Sequence, residues 1–387
     1  MQLIDKEELT TLVENSEGRC VSLFMPMTRE PDKQDENRIR LKNLIKEART
    51  RLTAQDANLR VADVQRLLQP AEELLENGRV WVDDGVGLAV FLAPNFTQSY
   101  TLPLDFEELV VVGKRFHIKP LLPLFSRNNR FYILALSQNE VRLFRATPYS
   151  IDEVELETLP TSMAEVLRYE DPEKQLQHHT SRKVSGATNQ RGAPVFHGHE
   201  VGSEKKDAIR RYFREVDAGL QNLLANEEAP LVLAAVSYLI PIYRDANTYS
   251  HVLEKGIPGN PEEVKPEELQ QRAWEVVQPL FAEAQSEAAE RYRQLANSDQ
   301  ASNDVAEIVP AAYYGRVDTL FTSLNRQQWG TFNRETGEVT LHVEPGPDDR
   351  DLLDVAAVRT FLNGGTVYAV DADEIPGGAI LSALFRY

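Results

Sequence analysis

The run PLVLAAVSYLI at residues 230–240 is apolar almost from end to end and opens on a proline. A stretch of this composition reads as a buried strand. Helical patterns bracket it. Upstream, Ile209, Phe213, Val216, Leu220 and Leu223–Leu224 form an apolar stripe at helical spacing, with Ser203 placed as an N-cap. Downstream the run leads into PIYRDANTYSHV. Further upstream, FYILALSQNEVRLFRAT sets two apolar runs around Gln138-Asn139-Glu140, and Ile151–Leu156 alternates as a third strand. Strands, helix, strand, helix in that order predict an α/β layer for the middle third of the chain.

The flanking thirds mix the same elements. CVSLFMPM (20–27), VGLAVFLA (86–93), TQSYTLPL (97–104) and LVVVG (109–113) read as strands. Residues 37–52 read as an amphipathic helix, because Leu41, Leu44, Ile45, Ala48 and Leu52 share one face. KPLLPLFSRNNR marks a boundary near 120–130, and IPGNPEEVKPEE (257–268) reads as a linker. Beyond it lie a long helix near 266–297, with a stripe of Trp274, Val277, Phe281, Ala284, Ala288 and Tyr292, and the strands VDTLFTSL, GTFNRETGEVTLHV and GTVYAVD. The helix DLLDVAAVRTFLNGG ends on a glycine pair, as helix C-termini often do. EPGPDDRD (344–351) reads as an acidic surface loop. At 387 residues the chain exceeds one ordinary core. The expected domains are 1–126, 127–260 and 261–387, in an α/β (α+β) fold class.

Composition narrows the function classes. One cysteine, Cys20, rules out an internal disulfide and fits a reducing compartment, so a cytoplasmic location is expected. The first residues show no basic n-region ahead of an apolar run, so no signal peptide is expected, and no run approaches the ~18 apolar residues of a membrane span. With 42 basic and 60 acidic residues the net charge is −18, which argues against a generic nucleic-acid coat. It leaves room for a local basic surface, since charges beyond ~10 Å are screened.

Two local regions stand out against that acidity. Arg38, Lys42, Lys46 and Arg49 fall on one face of the predicted helix at steps of four, four and three, and between 38 and 51 only Glu47 interrupts the basic run. A solvated helix face is the commoner meaning of such a stripe, and contact with RNA phosphate is the functional one. The second region is HHTSRKVSGATNQRGAPVFHGH, residues 178–199, which holds no Asp or Glu and four of the seven histidines. His178, His179, His197 and His199 offer metal-ligand chemistry, but without CxxC or HExxH a polar loop is the better reading and no metal is assigned. Ser185 and Ser203 sit in no Gly-x-Ser-x-Gly elbow, and the chain has neither GxxxxGK[ST] nor GxGxxG, so nucleophilic and nucleotide chemistry are not indicated and no cofactor is expected. Arg182, Lys183 and Arg191 suit phosphate neutralisation, while Gly192, Gly198 and Asn189 allow close backbone approach. Phe196 alone could stack on a base.

The stretches FEELVVVGKRFHIKPLLPL, RFYILALSQNEVRLFRAT, DPEKQLQHHT, VFHGH, APLVLAAVSYLIPIYRDANTY, GRVDTLF, LLDVAAVRTFLNGGTVYAV and ALFRY resemble, in this order, a bacterial branch of the archaeo-eukaryotic peptide-chain release factor and Pelota superfamily. The resemblance implies a three-domain release-factor-like architecture with a ribonuclease-H-like middle domain and an α/β/α C-terminal domain. It implies a ribosome-binding translation factor whose first domain approaches the decoding centre, whose loop at 174–203 reaches the peptidyl-transferase centre, and whose third domain meets a translational GTPase. On that footing the RNA-contacting residues are Arg38, Lys42, Lys46, Arg49, His178, His179, Arg182, Lys183, Gln190, Arg191, Gly192, His197, Gly198 and His199. An acid-free loop suits a tunnel walled by RNA phosphate, where a carboxylate would be repelled. The sequence departs from the family pattern at one point: no Gly-Gly-Gln occurs in 174–206. The resemblance therefore implies occupation of the ribosomal A site in rescue or hibernation, without peptidyl-tRNA hydrolysis. Two other readings remain open: a hydrolase using His197 or His199 as general base, and a protein–protein module that touches no RNA.

Overall fold

The protein was analysed as a computed structural model, which describes residues 6–14, 18–28, 34–55, 59–77, 85–125, 129–156 and 200–387 together with Ile4, Glu30, Val80, Trp81, Ser162 and Met163. It divides into two compact units, residues 128–281 and the remainder, 1–127 with 282–387.

The first third carries α1 (Lys6–Glu14), β1 (Cys20–Pro26), α2 (Gln34–Gln55), α3 (Val61–Glu76), β2 (Gly87–Ala93), β3 (Phe96–Leu102) and β4 (Leu109–Gly113). The four strands form an antiparallel sheet in the order β3-β2-β1-β4. β1 is apolar along its length because it is central and covered on both faces. Val21, Leu23 and Met25 meet Leu41, Leu44, Ile45, Ala48 and Leu52 of α2, the five residues whose spacing predicts the helix, and Val64, Leu68 and Ala71 of α3. On the other face Phe24 packs edge-on against Phe91, Phe106 and His117. At Gly87 a Cβ would stand 2.1 Å from the carbonyl oxygen of Leu104, so only glycine fits there.

In the second unit, β5 (Phe131–Leu136), β6 (Val141–Ala146) and β7 (Ile151–Val154) are followed by α4 (Glu200–Leu224), β8 (Leu231–Ala235), α5 (Leu239–Ala246), β9 (Ile257–Pro258) and the first half of α6 (Pro266–Leu295). The sheet order is β7-β6-β5-β8-β9: β6 pairs antiparallel with β5 and β7, and β8 pairs parallel with β5 and β9. This is the hairpin, helix, strand succession of a ribonuclease-H-like layer. The apolar run at 231–235 is explained by what covers it. Leu231, Leu233 and Ala235 face Ile209, Phe213, Val216 and Leu220 of α4. Val232 and Ala234 face Leu269, Ala273 and Val277 of α6.

Four local expectations are corrected here. The strand stops at Ala235, and Leu239 and Ile240 at the end of the apolar run already belong to the helix Leu239–Ala246. α4 starts at Glu200, so Ser203 falls inside the helix rather than capping it. Leu223 is 42% exposed, because the stripe continues through Leu220 and Leu224. The segment read as a linker supplies the edge strand β9, with Ile257 buried in the core.

The last third carries the second half of α6, β10 (Ala301–Ser302), α7 (Val305–Tyr313), β11 (Val317–Ser323), β12 (Trp329–Phe332), β13 (Val339–His342), β14 (Arg350–Asp351), α8 (Leu352–Leu362), β15 (Thr366–Val370) and β16 (Leu381–Phe385). One sheet runs β10-β16-β11-β15 and a smaller one β13-β12-β14. Ile308, Ala312, Leu353 and Ala356 of α7 and α8 pack on Leu320, Leu381 and Ala383. α8 is followed by Gly364 at φ +75°, the left-handed turn that the glycine pair predicts. Ala284 of the expected α6 stripe is exposed, whereas Ala289 and Tyr292 are buried.

Inside this first unit lies a knot of buried charge. A 3-10 helix at Lys119–Phe125 begins on Lys119, which is fully buried. Its ammonium lies 3.1 Å from Oδ2 of Asp351 and also donates to the carbonyl of Arg326. Oδ1 of Asp354 accepts from the backbone amides of Ile118 and Lys119, both at 2.6 Å. Asp351 caps α8 through Leu353 N, and Asp349 accepts from Gly346 N beside the His342 ring. The loop expected to be acidic surface thus contributes two buried carboxylates, Asp349 and Asp351, used as acceptors.

Candidate functional site

α2 presents its apolar face to the sheet, so the opposite face is left to solvent. Arg38, Lys42, Lys46 and Arg49 are all exposed on it. Arg38 forms a long ion pair with Asp35 at 3.8 Å, and Arg49 reaches Glu72 of α3. The side chains of Lys42 and Lys46 make no ion pair among the described residues. Exposed pairs of this kind contribute at most ~1 kcal/mol. The stripe is therefore available to an external anion at little cost to the fold. Its four members lie within three turns of helix, ~16 Å end to end at 1.5 Å per residue.

The other sequence candidates, His178, His179, Arg182, Lys183, Gln190, Arg191, Gly192, His197, Gly198 and His199, lie outside the described residues. The described chain resumes at α4.

One cavity was not read from the sequence. Between the second half of α4 and the turn after α5 lies a polar cavity of ≈ 220 Å³, lined in part by Asp217, Gln221, Tyr243, Thr248 and Tyr249. Asp217 is buried, and its two oxygens accept from Thr248 N at 3.0 Å and Thr248 Oγ1 at 2.7 Å. Gln221 Nε2 donates to the same hydroxyl at 3.1 Å. The Tyr249 hydroxyl donates toward the carbonyls of Ala229 at 2.7 Å and Glu227 at 3.1 Å. Burial, then the nearby Glu227, pushes it up to about 12. Tyr243 is fully buried and its hydroxyl has no hydrogen-bond partner among the described residues. Burial, then Asp217, pushes its pKa well up, so it is a neutral donor. The signal for this cavity was present in the chain: Asp217 stands four residues after Phe213 and three before Leu220, an acid on the apolar stripe of a helix. No histidine or cysteine lines the cavity. Its groups can hold water or a small polar ligand, but they do not assemble a nucleophile and base.

His117 is the one described histidine in the protein's interior. Its Nδ1 stands 3.5 Å from Asp354 and 3.7 Å from Asp351. Burial lowers its pKa despite both carboxylates, so the ring is neutral at neutral pH. Among the described residues no group of three or more His, Cys, Asp or Glu is arranged to hold a metal ion. No described helix is long and apolar enough to cross a membrane.

Comparison with known proteins adds a family. Residues 130–316 match Bacterial archaeo-eukaryotic release factor family 3. Among solved structures the chain is similar to a ribosome-bound archaeal Pelota with ABCE1 (11% identity, 100% of this chain and 95% of that one, TM-score 0.41). It is also similar to archaeal translation termination factor aRF1 (14% identity, 98% and 96%, TM-score 0.23) and to Saccharomyces cerevisiae Dom34, which interacts with Hbs1 (10% identity, 76% and 74%, TM-score 0.35). At these TM-scores the likenesses carry no argument about shape or partner. Among curated proteins none matches.

Proposed function

We propose, from the premise that residues 130–316 of this chain belong to the bacterial archaeo-eukaryotic release factor family, that the protein is a ribosome-associated translation factor. The observation that carries the reading beyond the family is the face of α2. Arg38, Lys42, Lys46 and Arg49 are exposed together, and two of them have no ion pair among the described residues, in a chain of net charge −18. Clustered cations with no internal partner suit a polyanion, because each neutralised phosphate releases counterions.

In this proposal the protein occupies the ribosomal A site in rescue or hibernation. The segment 1–126 approaches the decoding centre through α2. The loop at 174–203 reaches toward the peptidyl-transferase centre with Arg182, Lys183 and Arg191, and the segment 261–387 meets a translational GTPase. Peptidyl-tRNA hydrolysis is not part of the proposal, because Gly-Gly-Gln is missing from 174–206.

The test is co-sedimentation with ribosomes through a sucrose cushion at low and moderate salt, comparing the wild type with a variant carrying Arg38→Glu, Lys42→Glu, Lys46→Glu and Arg49→Glu. Salt-sensitive pelleting that the variant loses is expected. Failure of the wild type to pellet at any salt, with or without an added elongation GTPase, overturns the reading.

A further inference from the structure

Four arginines from four separate places in the fold lie within electrostatic reach of one another in the first unit. Arg115 follows β4, Arg334 lies in the turn between β12 and β13, Arg350 is in β14 and Arg359 is on α8. The guanidinium carbons of Arg334 and Arg359 lie 5.5 and 5.1 Å from the centre of one ring, Tyr313 at the end of α7. Tyr313 is itself held edge-on by Phe332 at 5.3 Å, and the Tyr314 hydroxyl donates to the Arg334 carbonyl at 2.9 Å. Arg115 and Arg350 line a common cleft with Asp349, Asp351 and Asp354. Arg115 donates to the Val13 carbonyl at 3.0 Å.

The three carboxylates of this cleft are already occupied. Asp354 takes two backbone amides, Asp351 faces Lys119, and Asp349 takes Gly346 N and the His342 ring. Arg334, Arg350 and Arg359 make no ion pair and no side-chain hydrogen bond among the described residues. Arg350 is half-buried; burial lowers its pKa to about 10 against the pull of Asp354, and the guanidiniums of Arg115, Arg334 and Arg359 act in the same direction as burial. Arg115 is lowered by burial and then by Arg334 and Arg359. A chain with an excess of 18 negative charges has thus gathered four guanidiniums where they repel one another, and three of them have no carboxylate in ion-pair contact among the described residues.

We propose that Arg115, Arg334, Arg350 and Arg359, steadied by Tyr313, form an oxyanion site that takes a phosphate group. Guanidinium forks from four elements suit the three or four oxygens of a tetrahedral phosphate, whereas a carboxylate offers two oxygens in one plane. The aromatic ring fixes two of the forks in advance, which lowers the entropy lost on binding. Arg334 is exposed, so the site opens to solvent. The phosphate can belong to an RNA backbone or to a free phosphate compound; the recognition chemistry is the same. The assignment is independent of the α2 face and of the ribosome.

The test uses the full chain with two probes, a short fluorescein-labelled oligouridylate followed by anisotropy and inorganic phosphate followed by the shift in melting temperature against chloride at equal ionic strength. The variants are Arg334→Gln, Arg359→Gln, Arg334→Lys and, as a control on the α2 face, Lys42→Gln with Lys46→Gln. Arg334 is exposed, so its replacement leaves the fold intact, which the phosphate-free melt verifies. Loss of one charged hydrogen-bonding partner should weaken binding about tenfold. It should also lower the salt slope for a single strand by about 0.7. Arg334→Lys should recover part of the affinity, since it keeps the charge and loses the fork. A response of the oligouridylate alone identifies an RNA backbone; a response of inorganic phosphate identifies a free phosphate compound. Binding of neither probe by the wild type overturns the assignment. So does binding that only Lys42→Gln and Lys46→Gln weaken, a result that leaves the proposed function standing.

Discussion

Asp354 and Lys46 are both charged, and the molecule treats them in opposite ways. Asp354 is 6% exposed and meets two backbone amides, Lys119 lies beside it, and the residues that meet it come from 235 positions away. Lys46 stands in solvent on α2 with no ion pair among the described residues. The buried carboxylate of Asp354 is saturated and serves the fold. The exposed ammonium of Lys46, with no ion pair among the described residues, is left available to an anion from outside. The contrast separates residues whose loss unfolds the protein from residues whose loss changes only what it binds.

That contrast can be broken at several points. The largest effect is expected for Asp354→Ala, which strands two buried amides and removes a counter-charge from the Lys119 cluster. It should cost about 3–5 kcal/mol, read from the urea midpoint at unchanged slope. A loss under ~1 kcal/mol would mean that the buried knot is not structural. Next, Thr248→Ala removes one hydrogen bond from the buried Asp217 in the second unit. About 1.5–3 kcal/mol is expected in the thermal melt. A melt unchanged from wild type would show that water replaces the hydroxyl freely.

The third point is pH. The folded-state pKa of His117 lies below its ordinary value of 6.5. As pH falls below about 6.5 the unfolded chain takes up a proton that the folded chain refuses, so stability falls with acid. The slope from this one group reaches about 1.4 kcal/mol per pH unit until the folded pKa is passed. His117→Gln should flatten the wild-type decline between roughly pH 5 and pH 6.5. Parallel curves for the two proteins in that range would remove His117 from the account. The smallest effect is expected for Lys42→Gln with Lys46→Gln. Stability should stay within ~0.5 kcal/mol of wild type, while ribosome pelleting becomes weaker at moderate salt. A clear loss of stability would place α2's cations with the structural charges and sink the contrast.

Much of the fold was legible because burial imposes a period. Leu41, Leu44, Ile45, Ala48 and Leu52 repeat at helical spacing and all five are buried against the sheet. The unbroken run at 231–235 could be read as a buried strand, since it is covered on both faces. The same rule failed at Leu239 and Ile240, which end the apolar run but already belong to the following helix. An apolar run names burial, not its geometry. α3 went unread although Val64, Leu68 and Ala71 are helically spaced, and it tolerates Pro70 within it. The basic face of α2 was legible because its members are neighbours in sequence. The cavity around Asp217 and the arginine cluster were not. Their members come from separate elements, and only tertiary packing brings Arg115 beside Arg350 or Thr248 beside Asp217. The loop 344–351 was misread because a carboxylate used as a cap has the same letter as one in solvent.

The ties between residues 117–119 and 351–354 have a consequence for how the molecule comes into being. During synthesis the sheet of β1 to β4 emerges early, yet the carboxylate that meets Ile118 and Lys119 lies 236 and 235 residues further on. The second unit, 128–281, is continuous in sequence and can close on itself as soon as its last helix appears. The earlier-made strands must wait with Lys119, whose partner Asp351 has not yet been made. Closure of the first unit is therefore a late, long-range event. A chain interrupted short of residue 354 would carry a finished middle and an open frame around it.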